Sequence, residues 1–382
     1  PKPRAGQARS PVFTNMRAPC AQVQHKDTNT PSTRAARRVA TPEALASLRE
    51  ELATQRQSRT RQVIVSSGTC GESQGTPEVV RALREEIAGR DLADEVLLRV
   101  TGCHGFCAQE PMVVVQPGNI LYCHVRPQAA DEIVSRTVAR GEVIDRLTYS
   151  DPSSGERWHS ETAVPFYAGQ DRPLLGQHRK IDPASIDDAI AGGAYSALAR
   201  VLAHGNPRSV VEEITRSGLR GSVGDGLPVG QMWEDFQSAA DGLDKYVVCS
   251  VDEWDPAAHI DRTILEANPH AVLEGMILGA YATGATAGLI RLRADHRLAL
   301  QHAWLAVDQA REYGLLGADL LDSGFSFDID VTQKTRTPAR NRSAESAAIV
   351  SGGGPARFQD GFALGDGAET WARISGIVDN GA

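Results

Sequence analysis

Residues 218–262 read GLRGSVGDGLPVGQMWEDFQSAADGLDKYVVCSVDEWDPAAHIDR. A glycine-rich loop opens the stretch, and a β-branched run, Lys245-Tyr246-Val247-Val248-Cys249, follows it. An acidic turn, Asp252-Glu253-Trp254-Asp255-Pro256, closes it. Glycines between a strand and a helix let backbone N–H groups come close to a phosphate or a ring. Acidic side chains at the carboxyl end of a strand stand where open α/β sheets bind ligands. Taken alone, the same letters also describe a surface loop ahead of an ordinary strand.

The order of these letters resembles the flavin- and NADH-binding core of the flavoprotein subunit of NADH:quinone oxidoreductase, a module also present in NAD-linked hydrogenases and formate dehydrogenases. The family loop RGRGGAGFPTGxKW is matched by RGSVGDGLPVGQMW (220–233), and the family strand and turn YVVCNADEGDPGAFxDR by YVVCSVDEWDPAAHIDR (246–262). IDPASIDDAIAGGAYSAL (181–198), NPHAVLEGMILGAYATGATAGLIRLRAD (268–295) and GLLGADLLDSGFSFDIDV (314–331) extend the likeness, which runs from about residue 60 to 331. The resemblance implies that Gly221, Gly224, Gly226 and Gly230 cradle FMN. It implies that Asp252 and Asp255 position NAD(H), and that Glu253, beside flavin and nicotinamide, influences hydride transfer.

Length, charge and cysteine usage bound the rest. The 382 residues suit two or three domains, and a spread net charge of −8 argues against nucleic acid as a partner. No apolar leader is visible at the N-terminus, and the opening Pro reads as a processed or fragmentary chain. Residues 271–290 are the most apolar stretch, but Glu274 interrupts them and small residues dominate, so a closely packed internal helix is expected rather than membrane insertion. Six cysteines, three clustered in one segment, point to a metal site in a reducing compartment. The expected location is cytoplasmic, including the periphery of a membrane complex.

In chain order, residues 1–40 read as a disordered basic arm. Thr41-Pro42-Glu43 starts a helix to about Gln57 within a 41–60 helix and linker. Residues 61–150 alternate strands (63–65, 96–100, 112–116, 120–125) with helices (77–88, 127–139), which predicts a small thioredoxin-like α/β domain. Its cysteines follow strands on glycine-flanked loops: Cys70 in SSGTCGES, Cys103 and Cys107 in TGCHGFCAQEP. Such loops have free N–H groups to bond cluster sulfur. The unit resembles the thioredoxin-like [2Fe–2S] ferredoxin domain fused ahead of the flavin module in bifurcating hydrogenases. That resemblance implies four ligands, yet the family's earlier cysteine is Val65 here. Cys123, in LYCHVRP, is the fourth ligand only if its loop folds back, and His104 is a weaker substitute. A cluster-free docking domain is the alternative.

Residues 151–176, rich in Pro, Gly and Ser, read as a linker. Residues 177–331 follow as the FMN/NADH-binding domain, a Rossmann-like parallel sheet. Asp182-Pro183 starts a helix through Ile190, Asn206-Pro207 caps another at 208–217, and strands 245–251 and 287–293 flank a helix at 269–286. The loop departs from the family: Ser222 for Arg, Val223 for Gly, Asp225 for Ala, Val229 for Thr and Met232 for Lys. Val223 resists a positive φ, Asp225 brings a negative charge toward a phosphate, and Met232 removes a positive one. In the acidic turn Ser250 replaces Asn and Trp254 replaces Gly, filling core space or stacking on a base. Residues 332–382 are a divergent, truncated remainder. Glu369-Thr370-Trp371-Ala372 echoes NNVETLAN without the Asn pair, and the SxxCGxCxxCR motif of the [4Fe–4S] cluster is absent.

Two functions are compatible with these letters. The chain is a subunit of a multi-subunit redox complex that passes electrons from NADH through FMN to iron–sulfur centres. Alternatively it is a degenerate paralogue without flavin, a scaffold or electron relay.

Overall fold

The computed structural model describes residues 37–223, 226–239, 244–251, 259–334, 356–358 and 361–381. Most of the basic arm therefore lies outside the described residues, as do Gly224, Asp225, Asp252, Glu253, Trp254 and Asp255. The described residues are mixed α/β, with two main sheets, each with its own core, and a two-stranded ribbon pairing Tyr149–Ser150 with Arg157–Trp158.

The first helix, α1 (Pro42–Ser58), starts at Thr41, whose side chain accepts from Ala44 N. Its apolar side, Leu45, Leu48 and Leu52, packs into the core of the second body. The first body follows: β1 (Arg61–Ser66), α2 (Thr76–Gly89), β2 (Val96–Thr101), β3 (Val113–Gln116) and β4 (Ile120–Tyr122). Its sheet runs β2-β1-β3-β4, with β1 and β2 parallel and β3 and β4 antiparallel to their neighbours, a thioredoxin-like arrangement. Alternation along β1 explains the two-sided core. Val63 and Val65 face α2 with Leu83 and Ile133, while Ile64 faces Met112, Val114, Leu121, Tyr149, Val164 and Tyr167 on the other side. Segment 151–176 is thus more than a linker, because Val164 and Tyr167 close the second face of this sheet.

The second body begins with α3 (Ile186–Ala191), α4 (Ser196–His204), α5 (Pro207–Ser217) and α6 (Val229–Ala239). The helix expected from Asp182 starts later, because residues 182–185 form a turn and Ser185 caps α3 by accepting from Asp188 N. Then come β5 (Lys245–Val251), α7 (Ile260–Ala267), α8 (Pro269–Thr283), β6 (Ala287–Arg293), α9 (Arg297–Glu312), β7 (Asp328–Lys334), β8 (Ala356–Phe358), β9 (Gly361–Asp366) and α10 (Ala368–Asn380). The sheet order is β8-β9-β5-β6-β7. Four strands are parallel, and β8 is an antiparallel edge. The chain moves outward from β5 through β6 to β7, then returns to the opposite side of β5 as β9. The carboxyl ends of β5 and β9 therefore flank the topological switch point, where open α/β sheets hold ligands.

Helix α8 is buried along nearly its whole length, and none of the described helices is long and apolar enough to cross a membrane. Its small residues serve packing: a Cβ at Gly275 would fall on the Trp371 carbonyl of α10, and one at Gly279 would meet the Trp371 ring. The two bodies are held together at α7. Thr69 donates its N–H to Glu266 at 3.0 Å and its hydroxyl to the same carboxylate, and Gly102 is pressed against Ala267 so closely that it leaves no room for a side chain. Buried Arg99 of β2 reaches Asp188 at 2.7 Å.

Candidate functional site

At the switch point, residues 219–223 and 226–229 pair to close the neck of the glycine-rich segment. Gly221 N donates to Leu227 O at 2.9 Å and Val229 N to Leu219 O at 2.8 Å. Gly226 sits inside at φ +61°, a conformation glycine adopts without strain. Gly221 lies over Asp366, the last residue of β9: a Cβ there would stand 2.7 Å from Asp366 Oδ2 and 3.4 Å from Met232 Cε. Met232 is buried beneath the loop. Gly230 belongs to the contact between α6 and α5, where a Cβ would run into Thr215. Of the four candidate cradle glycines, Gly221 lies over Asp366, Gly226 lies against the Gly221 carbonyl, Gly230 faces a neighbouring helix, and Gly224 lies outside the described residues. The acids Asp252, Glu253 and Asp255 follow Val251 at the end of β5 but also lie outside the described residues.

Two carboxylates at the crevice floor, Asp366 and Asp261, were not singled out by sequence, although Ser222 and Glu369-Thr370 were. Asp366 Oδ1 accepts from Ser222 N at 3.0 Å, Thr370 Oγ1 at 2.8 Å and Gly367 N at 2.8 Å. Asp261 of α7 reaches the same turn, its Oδ1 accepting from Glu369 N at 2.8 Å. Gly367 admits this approach, since a Cβ there would collide with Ser222 Oγ and both Asp261 oxygens. Burial pushes the Asp366 carboxyl up, partly offset by the donors on Oδ1. Asp366 Oδ2 is buried with no hydrogen-bond partner. The junction strand–Asp–Gly–helix is legible in the sequence, but the direction of its carboxylate is not.

This floor bears on FMN, the group the family implies. The N-terminus of α10 is the natural anion-binding end of that helix. Of its donors, Gly367 N and Glu369 N, together with Ser222 N and Thr370 Oγ1, already serve two carboxylates. The residues in this arrangement do not fit a phosphate.

The thiols form the second candidate site. Cys70 sits in a helical turn, Thr69–Ser73, after β1, and Cys103 and Cys107 lie on the loop after β2. Cys107 is within hydrogen-bonding reach of both Cys103 and Cys70. The Cys103 contact holds the Cys107 thiol down to about 6, against burial and with help from Cys70. The same contact and burial push Cys103 up. Gly105 N donates to Cys103 Sγ at 3.3 Å. The loop is anchored by Phe106, stacked 4.2 Å from Phe166, and by buried His104. The His104 ring meets Glu161 and Thr101, each at 3.0 Å.

Cys123 stands apart in the apolar layer with Ile64, Met112, Val114 and Leu121, and burial pushes its thiol up to about 12. No set of three or more His, Cys, Asp or Glu side chains among the described residues is arranged to hold a metal ion. Three thiols brought together and a fourth in the core do not fit a four-thiolate cluster as they stand.

Residues 214–343 match the family model described as the Nuo51 FMN-binding domain. The HndC subunit of the NADP-reducing hydrogenase of Solidesulfovibrio fructosivorans is 43% identical over 216 residues, 53% of this chain and 43% of that one. The second F subunit of the NADH-quinone oxidoreductase of Rhizobium meliloti is 38% identical over 141 residues, 37% of this chain and 33% of that one. The chain thus spans less than half the length of these curated relatives. The thioredoxin-like [2Fe–2S] ferredoxin from Aquifex aeolicus is similar over 24% of this chain and 99% of that one, with 29% identity and a TM-score of 0.23.

Proposed function

We propose that this chain, a Nuo51 FMN-binding domain protein related to HndC and to the F subunits of NADH-quinone oxidoreductase, serves an NADH-linked redox assembly as a structural subunit whose crevice is satisfied from within. The observation that carries this reading is the engagement of Ser222 N, Gly367 N, Glu369 N and Thr370 Oγ1 by the carboxylates of Asp366 and Asp261. Buried polar groups hold to the partners they have, because uncovering one costs its full desolvation penalty. A flavin phosphate would have to displace two internal carboxylates and then lie beside them. The locked joint at α7 supports the same role, since Thr69–Glu266 and Gly102–Ala267 fix the thiol-bearing body on the flavin-type body.

The second reading, hydride transfer from NADH to FMN and onward to iron–sulfur centres, draws on one specific observation. The glycine loop and the acidic turn bearing Glu253 both attach at the switch point of the parallel sheet. An anaerobic visible spectrum separates the two. The purified chain is reconstituted with iron, sulfide and FMN, desalted, and recorded before and after NADH. The structural reading expects no retained flavin band. A flavin band that bleaches with NADH would overturn it and establish hydride transfer. Iron–sulfur absorption without flavin would make the chain a relay.

A further inference from the structure

Asp366 stands where the glycine loop, the end of β9 and the start of α10 meet. Oδ1 accepts from four donors, Ser222 N, Ser222 Oγ, Thr370 Oγ1 and Gly367 N, while Oδ2 is buried without a hydrogen-bond partner and faces Gly221, which has no side chain to screen it. Helix α10 is 13 residues long, so its first turn carries the positive end of a full helix dipole. A second donor of that turn, Glu369 N, is taken by Asp261, which leaves the arrangement anionic on two sides.

We propose that the Asp366 carboxylate is a built-in anion that sets the specificity of this crevice, occupying the phosphate position at the start of α10 and excluding phosphate-bearing ligands. The inference rests on the closed-crevice reading above and assigns its cause to one residue. A phosphate oxygen approaching past Gly221 meets Oδ2, a like charge in a site with little water to screen it. It also finds Ser222 N, Gly367 N and Glu369 N already engaged by carboxylates. An amide at the same position would keep an acceptor for Ser222, Thr370 and Gly367 and turn an N–H2 group toward Gly221, converting repulsion into donation.

The test compares FMN with riboflavin, which differ in the phosphate, on the full chain and on Asp366→Asn. Binding is read by flavin fluorescence titration and equilibrium dialysis, with circular dichroism to verify folding. Asp366→Asn should raise FMN affinity by about tenfold or more while riboflavin affinity stays unchanged. Asp366→Ser, neutral and smaller, carries the same expectation should the Asn variant not fold. Equal gains for both flavins would mean that space rather than charge was released, and would overturn the inference. Firm FMN binding by the unaltered chain would overturn the closed-crevice reading itself. Refusal of FMN by the unaltered chain and by both folded variants would leave that reading standing. It would overturn the role of Asp366 and pass the cause to Val223, Asp225 and Met232.

Discussion

Two helices of the second body have their N-terminal N–H groups covered by buried carboxylates, and the two cases differ in what lies beside them. At α4 the carboxylate is Glu274, which reaches from the middle of α8 and accepts from Leu198 N at 3.1 Å. It is surrounded by the main core, with Tyr195 and His270 hydrogen-bonded nearby at 2.8 Å. At α10 the carboxylates are Asp366 and Asp261, and beside them lie the glycine loop and the carboxyl ends of β5 and β9. The local chemistry is the same: an anion satisfies donors that the helix cannot use itself. Position relative to the sheet separates them. Glu274 replaces a missing cap inside a core, since Tyr195 at the cap position offers no side-chain bond. Asp366 fills a place where a parallel sheet would otherwise receive a ligand.

Removing the two carboxylates therefore has unequal consequences. At pH 5, Glu274→Ala leaves buried donors uncovered and opens a cavity, and should cost about 3 kcal/mol or more in chemical denaturation. Asp366→Asn keeps the acceptor and should shift stability by less than about 1 kcal/mol. Similar losses at both sites would break the distinction between a structural and a ligand-excluding carboxylate.

The pH dependence isolates Glu274 further. Burial raises its carboxyl from an ordinary 4.5 to about 7, against the backbone donors that favour the charged form. A folded value above the unfolded one means that the native state holds its proton longer. The corresponding stability is therefore fully present below 4.5, falls as pH rises through 7, and levels off above. The swing is about 3 kcal/mol. Urea melts from pH 4 to 8 should show this fall, and Glu274→Gln should flatten it. A fall that survives in Glu274→Gln would assign the window to another group, with half-buried Asp182, raised to about 6, the first to examine.

The flank of α10 offers a smaller break. Gly275→Ala places a methyl group on the Trp371 carbonyl, and overpacking of this kind costs about 1–3 kcal/mol. The crevice lies at the end of α10 and the contact along its side. A melting-temperature loss without any change in the FMN-to-riboflavin ratio is therefore expected. A changed ratio would mean that the crevice and the flank move as one.

How much of this was legible depends on distance along the chain. The period-two run Val63-Ile64-Val65 and the glycine-flanked cysteines announce the first sheet and its loops, because their meaning is contained within a few residues. Segment 151–176 misled because it is rich in Pro, Gly and Ser, while Val164 and Tyr167, which close a sheet face, are few. Gly230 was legible as a glycine that matters, but a glycine needed beside Thr215 and one needed beside a phosphate are the same letter. Asp366 was out of reach because its partner Ser222 lies 144 residues away.

Helix α1 supplies the control for the comparison, since its N-terminus is covered by its own cap. Thr41 Oγ1 accepts from Ala44 N at 3.2 Å at an exposed position, with Pro42 in the first turn. A cap of this sort exchanges a protein hydrogen bond for one with water, so Thr41→Ala should cost only about 1 kcal/mol, read as a small shift in denaturation midpoint at unchanged slope. The three helix starts then rank by what replaces the lost partner: water at α1, nothing at α4, an entering anion at α10. A loss at Thr41 as large as that at Glu274 would show that burial is not what separates them. The case for Asp366 would then rest on the flavin titrations alone.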